Sequence, residues 1–338
     1  MKAYKAIALL LCAAALAAGC SDRLQGDSLR GTEITVAPTV DEFGGTKAQF
    51  VSTLNTANNS IQVVCYRAAS TTKWFECTAV YAPYNDMADR WVFFNENMYD
   101  YKYYWPDASG KLDFFAYYPV SLTNTCVTLD TYVASTPKFH CTSLPVTFPS
   151  TENTNLEEFI YAFEAGESQP SSSDKHNTVG LTFHHPFARI TIQLETAIRS
   201  TLNSVTITNI YNNGNCTVSS TAPKTSWTST GSTTNLVVTS GLDYPEEINN
   251  GATIGGPYIV LPQSLTDNVE LKVNYLATGN SNPTVVGVKL KNKGGITEWK
   301  PGYAYTYKLS LNGAANEAIV DVSVTPWSVQ GESETEVK

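Results

Sequence analysis

"RITIQL", residues 189–194, decides the fold. Ile190, Ile192 and Leu194 fall on one side of an extended chain, with Arg189, Thr191 and Gln193 on the other. Side chains alternate across a strand, so this spacing describes a sheet with one face on a core and one in water. The same period returns in "SVTITNI" (204–210), "VELKVNY" (269–275) and "YAYTYKLSL" (303–311). In the last, Tyr303, Tyr305, Tyr307, Leu309 and Leu311 form one inward stripe.

Upstream, "SIQVVCYRA", "KWFECTAVYAP", "RWVFFN", "YKYYW" and "KLDFFAYYPV" read as further strands. They are rich in the β-branched and aromatic residues that suit a pleated surface. "EITVAP" (33–38) is a short strand candidate, followed by a glycine-containing loop, "VDEFGGTKAQF" (40–50). "LEEFIYAFEAG" (156–166) has mixed periodicity and fits helix or strand. "ESQPSSSDKHN" (167–177) has the composition of a linker. Many strands punctuated by Gly, Pro and Asn turns, with no long amphipathic helix, predict an all-β protein of antiparallel sandwiches. The expected organisation is two β-sandwich domains, 33–175 and 176–338, with no solenoid-type repeat.

Composition agrees. Charged residues make up 16% of the 338, against about 25% in an average domain. The formal net charge is −9, and no basic run is present. That argues against a nucleic-acid partner.

The first residues point to export. Lys2 and Lys5 precede an apolar run, Ala6 to Ala18, too short to span a bilayer as a helix. Residues 1–19 therefore read as a signal peptide. "LAAGC" (16–20) resembles the lipobox of bacterial lipoproteins, which implies diacylation of Cys20 and cleavage before it. Residues 20–32 are then a lipidated, polar leader. Several acyl chains anchor far better than one, at about 0.8 kcal/mol per buried methylene.

With Cys12 removed and Cys20 lipidated, five of the seven cysteines remain. Cys65 and Cys77 flank one apparent hairpin, and Cys126 and Cys141 another. Local disulfides would leave Cys216 free, and an exported compartment permits them. Buried reduced thiols are the other reading.

Catalytic signatures are sparse. His184 and His185 are adjacent, so on a strand they face opposite ways and do not share a metal. Glu157-Glu158 and Glu246-Glu247 read as solvated charge. A glycosidase needs two carboxyls about 5–9 Å apart across a cleft, which a doublet does not establish. No P-loop, G-x-S-x-G or H-E-x-x-H occurs, so no cofactor, no metal and no enzymatic activity are expected. Trp105, Tyr103 and Tyr104 are assigned to core packing rather than to sugar stacking.

The ordered set "TKAQF", "KLDFFAYYPV", "LTFHHPFARITIQL", "ITEWKPGYAYTYKLSL" and "VDVSVTPW", behind a lipobox, resembles the fimbrillin family of Bacteroidales. These are stalk and tip subunits of lipoprotein-derived (type V) pili. The resemblance spans nearly the whole chain. It implies two transthyretin-like β-sandwich domains, export to the outer membrane as a lipoprotein, and other pilus subunits as partners. It also implies assembly by strand exchange. A trypsin-like protease cuts behind the first strand, that strand leaves with the lipid, and a strand from another subunit fills the groove.

Carried onto this chain, the resemblance makes "EITVAP" the blocking strand, with Ile34 and Val36 as plugs. The processing site would be Lys47 in "GGTKA", where family members commonly carry arginine. Without that cut, the product is an uncleaved surface lipoprotein or anchor. "AIVDVSVTPWSV" (318–329) is the candidate donor strand, with Val320, Val322, Val324 and Trp327 as pocket-filling residues. Its alternative is a final strand within its own domain. A lipid-anchored module binding a host or glycan ligand is the second functional reading, and a surface glycoside hydrolase ranks third.

Overall fold

The structure, a computed structural model, describes residues 32–40, 54–56, 59–68, 70–81, 90–94, 101–106, 110–123, 125–130, 136–142, 144, 157–169, 178–196, 199–222, 224–244, 252–312 and 317–326. Its elements are almost entirely strands. In chain order they are β1 (Thr35–Val40), β2 (Ser60–Arg67), β3 (Lys73–Tyr81), β4 (Trp91–Phe94), β5 (Lys111–Tyr118), β6 (Val127–Leu129), β7 (Lys138–Cys141), β8 (Ile160–Ser168), β9 (Thr178–Phe183) and β10 (Ala188–Thr196). There follow β11 (Ser200–Ile210), β12 (Gly214–Val218), β13 (Thr225–Ser229), β14 (Thr234–Tyr244), β15 (Ala252–Val260), β16 (Gln263–Ser264), β17 (Glu270–Ala277), β18 (Thr284–Lys289), β19 (Glu298–Trp299), β20 (Tyr303–Asn312) and β21 (Glu317–Pro326).

"RITIQL" lies in β10, and Ile190, Ile192 and Leu194 are wholly buried. Each sits beside the tyrosine-leucine stripe of β20: Ile190 opposite Tyr305, Ile192 opposite Tyr307 and Leu194 opposite Leu309. That pair is parallel; β15 and β21 complete the sheet in antiparallel fashion, in the order β15-β10-β20-β21. The facing sheet runs β14-β11-β17-β18. Its Leu202, Val205, Ile207, Leu271, Val273 and Tyr275 share one core with the stripe. This is a two-layer sandwich, stabilised by apolar side chains worth about 1.5–3 kcal/mol each when fully buried. The register slips between β10 and β15 around Gly255. A Cβ there would lie 2.2 Å from Val238 Cγ1, so no larger residue fits without displacing the facing sheet.

The N-terminal strands build a different arrangement. The sheet β4-β3-β2-β5-β8 is covered on both faces. On one face lie Ile61, Val63, Phe114 and Ile160, packed against β1 and β9. On the other lie Val64, Phe115, Tyr161 and Phe163, packed against the sheet β13-β12-β7-β6. Double coverage explains the mixed periodicity of "LEEFIYAFEAG". It forms β8, a strand with little alternation because neither face is wet. At its end a bulge opposes Asp113, and Asp113 Oδ1 accepts a 2.7 Å hydrogen bond from the Gly166 amide. Gly166 has φ +71, a conformation glycine adopts without strain.

Two parallel pairs, β1 with β9 and β10 with β20, sit among the otherwise antiparallel strands. Three strands from beyond residue 175 return to the N-terminal layers: β9 beside β1, β12 beside β7, and β13 on the far side of β12.

Candidate functional site

β1 places the candidate plug residues. Along it Val36, Pro38 and Val40 are buried, and Ile34, just ahead, is buried completely. Ala37 and Thr39 point outward. β1 and its entry thus have four inward positions at strand spacing, two more than the sequence singled out. Ile34, Val36 and Val40 join the core with Phe114, Ala162 and Leu181. Three such side chains contribute roughly 5–9 kcal/mol of apolar burial.

The backbone of β1 is held along one edge. Its six residues pair in parallel with β9, from Thr35 opposite Thr178 to Val40 opposite Phe183. At its entry, Ile34 N donates to Tyr103 O at 2.8 Å and Trp105 N donates to Thr32 O at 3.0 Å. Lys102 and Glu33 add an exposed ion pair at 3.0 Å, worth well under 1 kcal/mol. Past this anchor the strand borders an open slot of about 740 Å³, whose far wall includes Trp91 and Phe93 of β4. Without β1, β9 would present six unpaired backbone positions beside vacated apolar pockets. That is the chemistry of strand addition.

The candidate donor lies in β21. Val320, Val322 and Val324 face inward opposite Leu309, Tyr307 and Tyr305 of β20. Val320 is buried, while Val322 and Val324 are half-buried. The strand is the outer member of its sheet, and Ile319 on its opposite face is 53% exposed. In this structure the segment belongs to a sheet of its own chain, paired along its length with β20. Cys20, Lys47 and Trp327 lie outside the described residues.

Sequence reasoning missed the partner of β1. The signal was present: Val179, Leu181 and Phe183 alternate in β9, but the segment reads as the start of a second domain. Tyr103 and Trp105 occupy the N-terminal core, Tyr103 stacked on Phe75 with centroids 4.0 Å apart. Glu158 overturns the expectation of solvated charge. It is buried, and its Oε1 lies 2.6 Å from Nδ1 of His185, also buried. His184 is half-exposed, and its backbone pairs with that of Tyr161. Among the described residues no cluster of His, Cys, Asp or Glu is suited to hold a metal ion.

Cys65, Cys77, Cys126, Cys141 and Cys216 carry free thiols in this structure, all but Cys126 of them buried. Cys65 and Cys77 are diagonal neighbours, opposite Phe75 and Val63 respectively. Burial raises both thiols above their usual range, which keeps them protonated and unreactive. Cys141 is different: a hydrogen bond with the Cys126 thiol is the first cause of its raised pKa, ahead of burial. Among the described residues no helix is long and apolar enough to cross a membrane.

The profile of the fimbrillin-like family matches residues 46–327. Among curated protein sequences, none matches the chain. A solved fimbrial protein from Bacteroides vulgatus is 15% identical with TM-score 0.54, over 87% of this chain and 99% of that one. A protein from Parabacteroides distasonis named for cell adhesion is 12% identical with TM-score 0.54, over 90% and 100%. At these identities the similarity is one of fold.

Proposed function

The chain belongs to the fimbrillin-like family, and from that premise we propose that it is a non-enzymatic structural or adhesive subunit of a cell-surface pilus. In this reading it is exported as a lipoprotein, held to the outer membrane through Cys20, and assembled by strand exchange at the seat of β1. The observation that carries the proposal is β1 itself: one paired edge, four inward side chains and an open slot alongside.

The connection from β1 to the remaining strands runs through Lys47. Cutting there leaves β1 held only by non-covalent contacts, while its other end is tied to lipid. An incoming strand needs apolar residues every second position to fill the vacated pockets. Val320, Val322 and Val324 of another copy have that spacing. The donor must first leave β20, and the half-burial of Val322 and Val324 lowers the cost of doing so. Until the cut, the chain's own β1 keeps the seat filled and the subunit inert.

The test is to express residues 21–338, treat them with a trypsin-like protease, and run the product unboiled on a denaturing gel. The proposal expects a ladder that Lys47→Gln abolishes. Cleavage after Lys47 with only monomer remaining would overturn self-polymerisation.

A further inference from the structure

β1 with its entry and β21 carry one pattern. "EITVAP" (33–38) and "DVSVTP" (321–326) agree position by position: an acid, a β-branched aliphatic, a hydroxyl, valine, a short side chain and proline. The structure shows what each position of the first segment supplies. Glu33 pairs with Lys102 at 3.0 Å, and the hydroxyls of Thr35 and Thr178 lie 3.1 Å apart. Ile34, Val36 and Pro38 are buried, with Val36 opposite Val179 and Pro38 opposite Leu181. Asp321, Val322, Ser323, Val324 and Pro326 offer the same groups in the same order.

The prolines add a direction. The N–H groups of successive residues in a strand point to opposite edges. Ile34 N donates to Tyr103 O, away from β9. Residues 36 and 38 share that parity, so the N–H that Pro38 lacks removes no bond from the β1–β9 ladder. In β21, Pro326 ends an unslipped ladder opposite Tyr303. Lacking an N–H, it leaves the bonds to β20 to the odd-numbered residues. A strand is chiral: with its inward face fixed, reversing its direction swaps the edges to which alternate N–H groups point. Docked on β9 in the direction of β1, the segment sends its odd-numbered N–H groups to β9 and Pro326 away. Docked the other way, it turns Pro326 toward β9 and loses a ladder bond.

Register follows from the remaining matches. A slip of two residues keeps the apolar face inward, but it sets Asp321 or Thr325 opposite Thr178. It also puts Ile319 or Ser323, neither an acid, in the place of Glu33.

We propose that the C-terminal strand of another copy docks parallel to β9 in a single register. Val322, Val324 and Pro326 take the places of Ile34, Val36 and Pro38, with Ser323 opposite Thr178 and Thr325 opposite Gly180. β1 is then an internal copy of the strand that replaces it. This proposal rests on the strand-exchange reading above and adds its direction and register.

The experiment is a cysteine cross-linking matrix on residues 21–338, using outward positions that leave the core intact. A labelled copy carries Thr178→Cys or Gly180→Cys, and an unlabelled copy carries Asp321→Cys, Ser323→Cys or Thr325→Cys. The two are mixed, cleaved with a trypsin-like protease, mildly oxidised and peptide-mapped. The uncleaved double variant Thr35→Cys/Thr178→Cys sets the reference yield for a directly opposite pair. Cross-links 178–323 and 180–325 should exceed every other combination at least tenfold. A predominance of 178–325 with 180–323 means antiparallel docking, and 178–321 with 180–323 means a slipped register. Either would overturn this proposal and leave strand exchange standing. Absence of any cross-link from 178 or 180 to 321, 323 or 325, with the reference pair bridged, would overturn both.

Discussion

Val36 lies directly opposite Val179 in a parallel pair, and both side chains are buried in the same core. This juxtaposition ties the first described strand of the chain to one that follows it by more than a hundred residues. The contact is non-local, and the connection between its partners passes through the segment containing Lys47.

Val36→Asp should loosen β1 selectively. It replaces a buried apolar side chain with a carboxylate, a change costing about 3 kcal/mol. Amide exchange across Thr178–Phe183 should accelerate about 100-fold relative to the parent. Thr39→Asp, on the outward face, should leave exchange unchanged.

The cysteines should divide by environment. Cys65 and Cys77 should resist iodoacetamide in the native protein at pH 8 and react on denaturation, because burial holds both thiols protonated. Mild oxidation should produce a Cys126–Cys141 bridge before any Cys65–Cys77 bridge, since the former thiols are hydrogen-bonded to each other while the Cys65 thiol donates to Tyr66 O. Peptide mapping under non-reducing conditions reads the order.

Stability should fall at alkaline pH. Tyr117 and Tyr305 are pushed from 10 up to about 12, chiefly by burial. A phenol whose pKa is higher in the folded state binds its proton more tightly there. Its stabilisation is complete below pH 10 and is lost as pH rises to about 12. Urea midpoints should be level between pH 8 and 9.5 and decline from pH 10 to 11.5.

The C-terminal sandwich was legible because each strand has one dry face. Ile190, Ile192 and Leu194 announce it, and Tyr305, Tyr307 and Leu309 supply the neighbouring strand. The N-terminal layers were less legible because burial on both faces erases alternation. In β8, Tyr161 and Phe163 serve one core while Ile160 and Ala162 serve another, so period 2 conveys nothing. The inward face of β1 was legible at Ile34 and Val36, but the strand it pairs with was not. Local patterning carries no information on the partner of a strand. The same limit hid the Glu158–His185 pair, which joins residues from two segments inside the fold.

The central claim is that β9 exchanges β1 for a strand from another copy. A photo-crosslinking side chain at position 179, mixed with an isotopically labelled second copy, tests it directly. Before cleavage, crosslinks should map to residues 33–40 of the same chain. After cleavage at Lys47, they should map to labelled peptides covering residues 318–327. Continued crosslinking to 33–40 after complete cleavage, or polymers whose crosslinks avoid the C-terminal segment, would contradict the account.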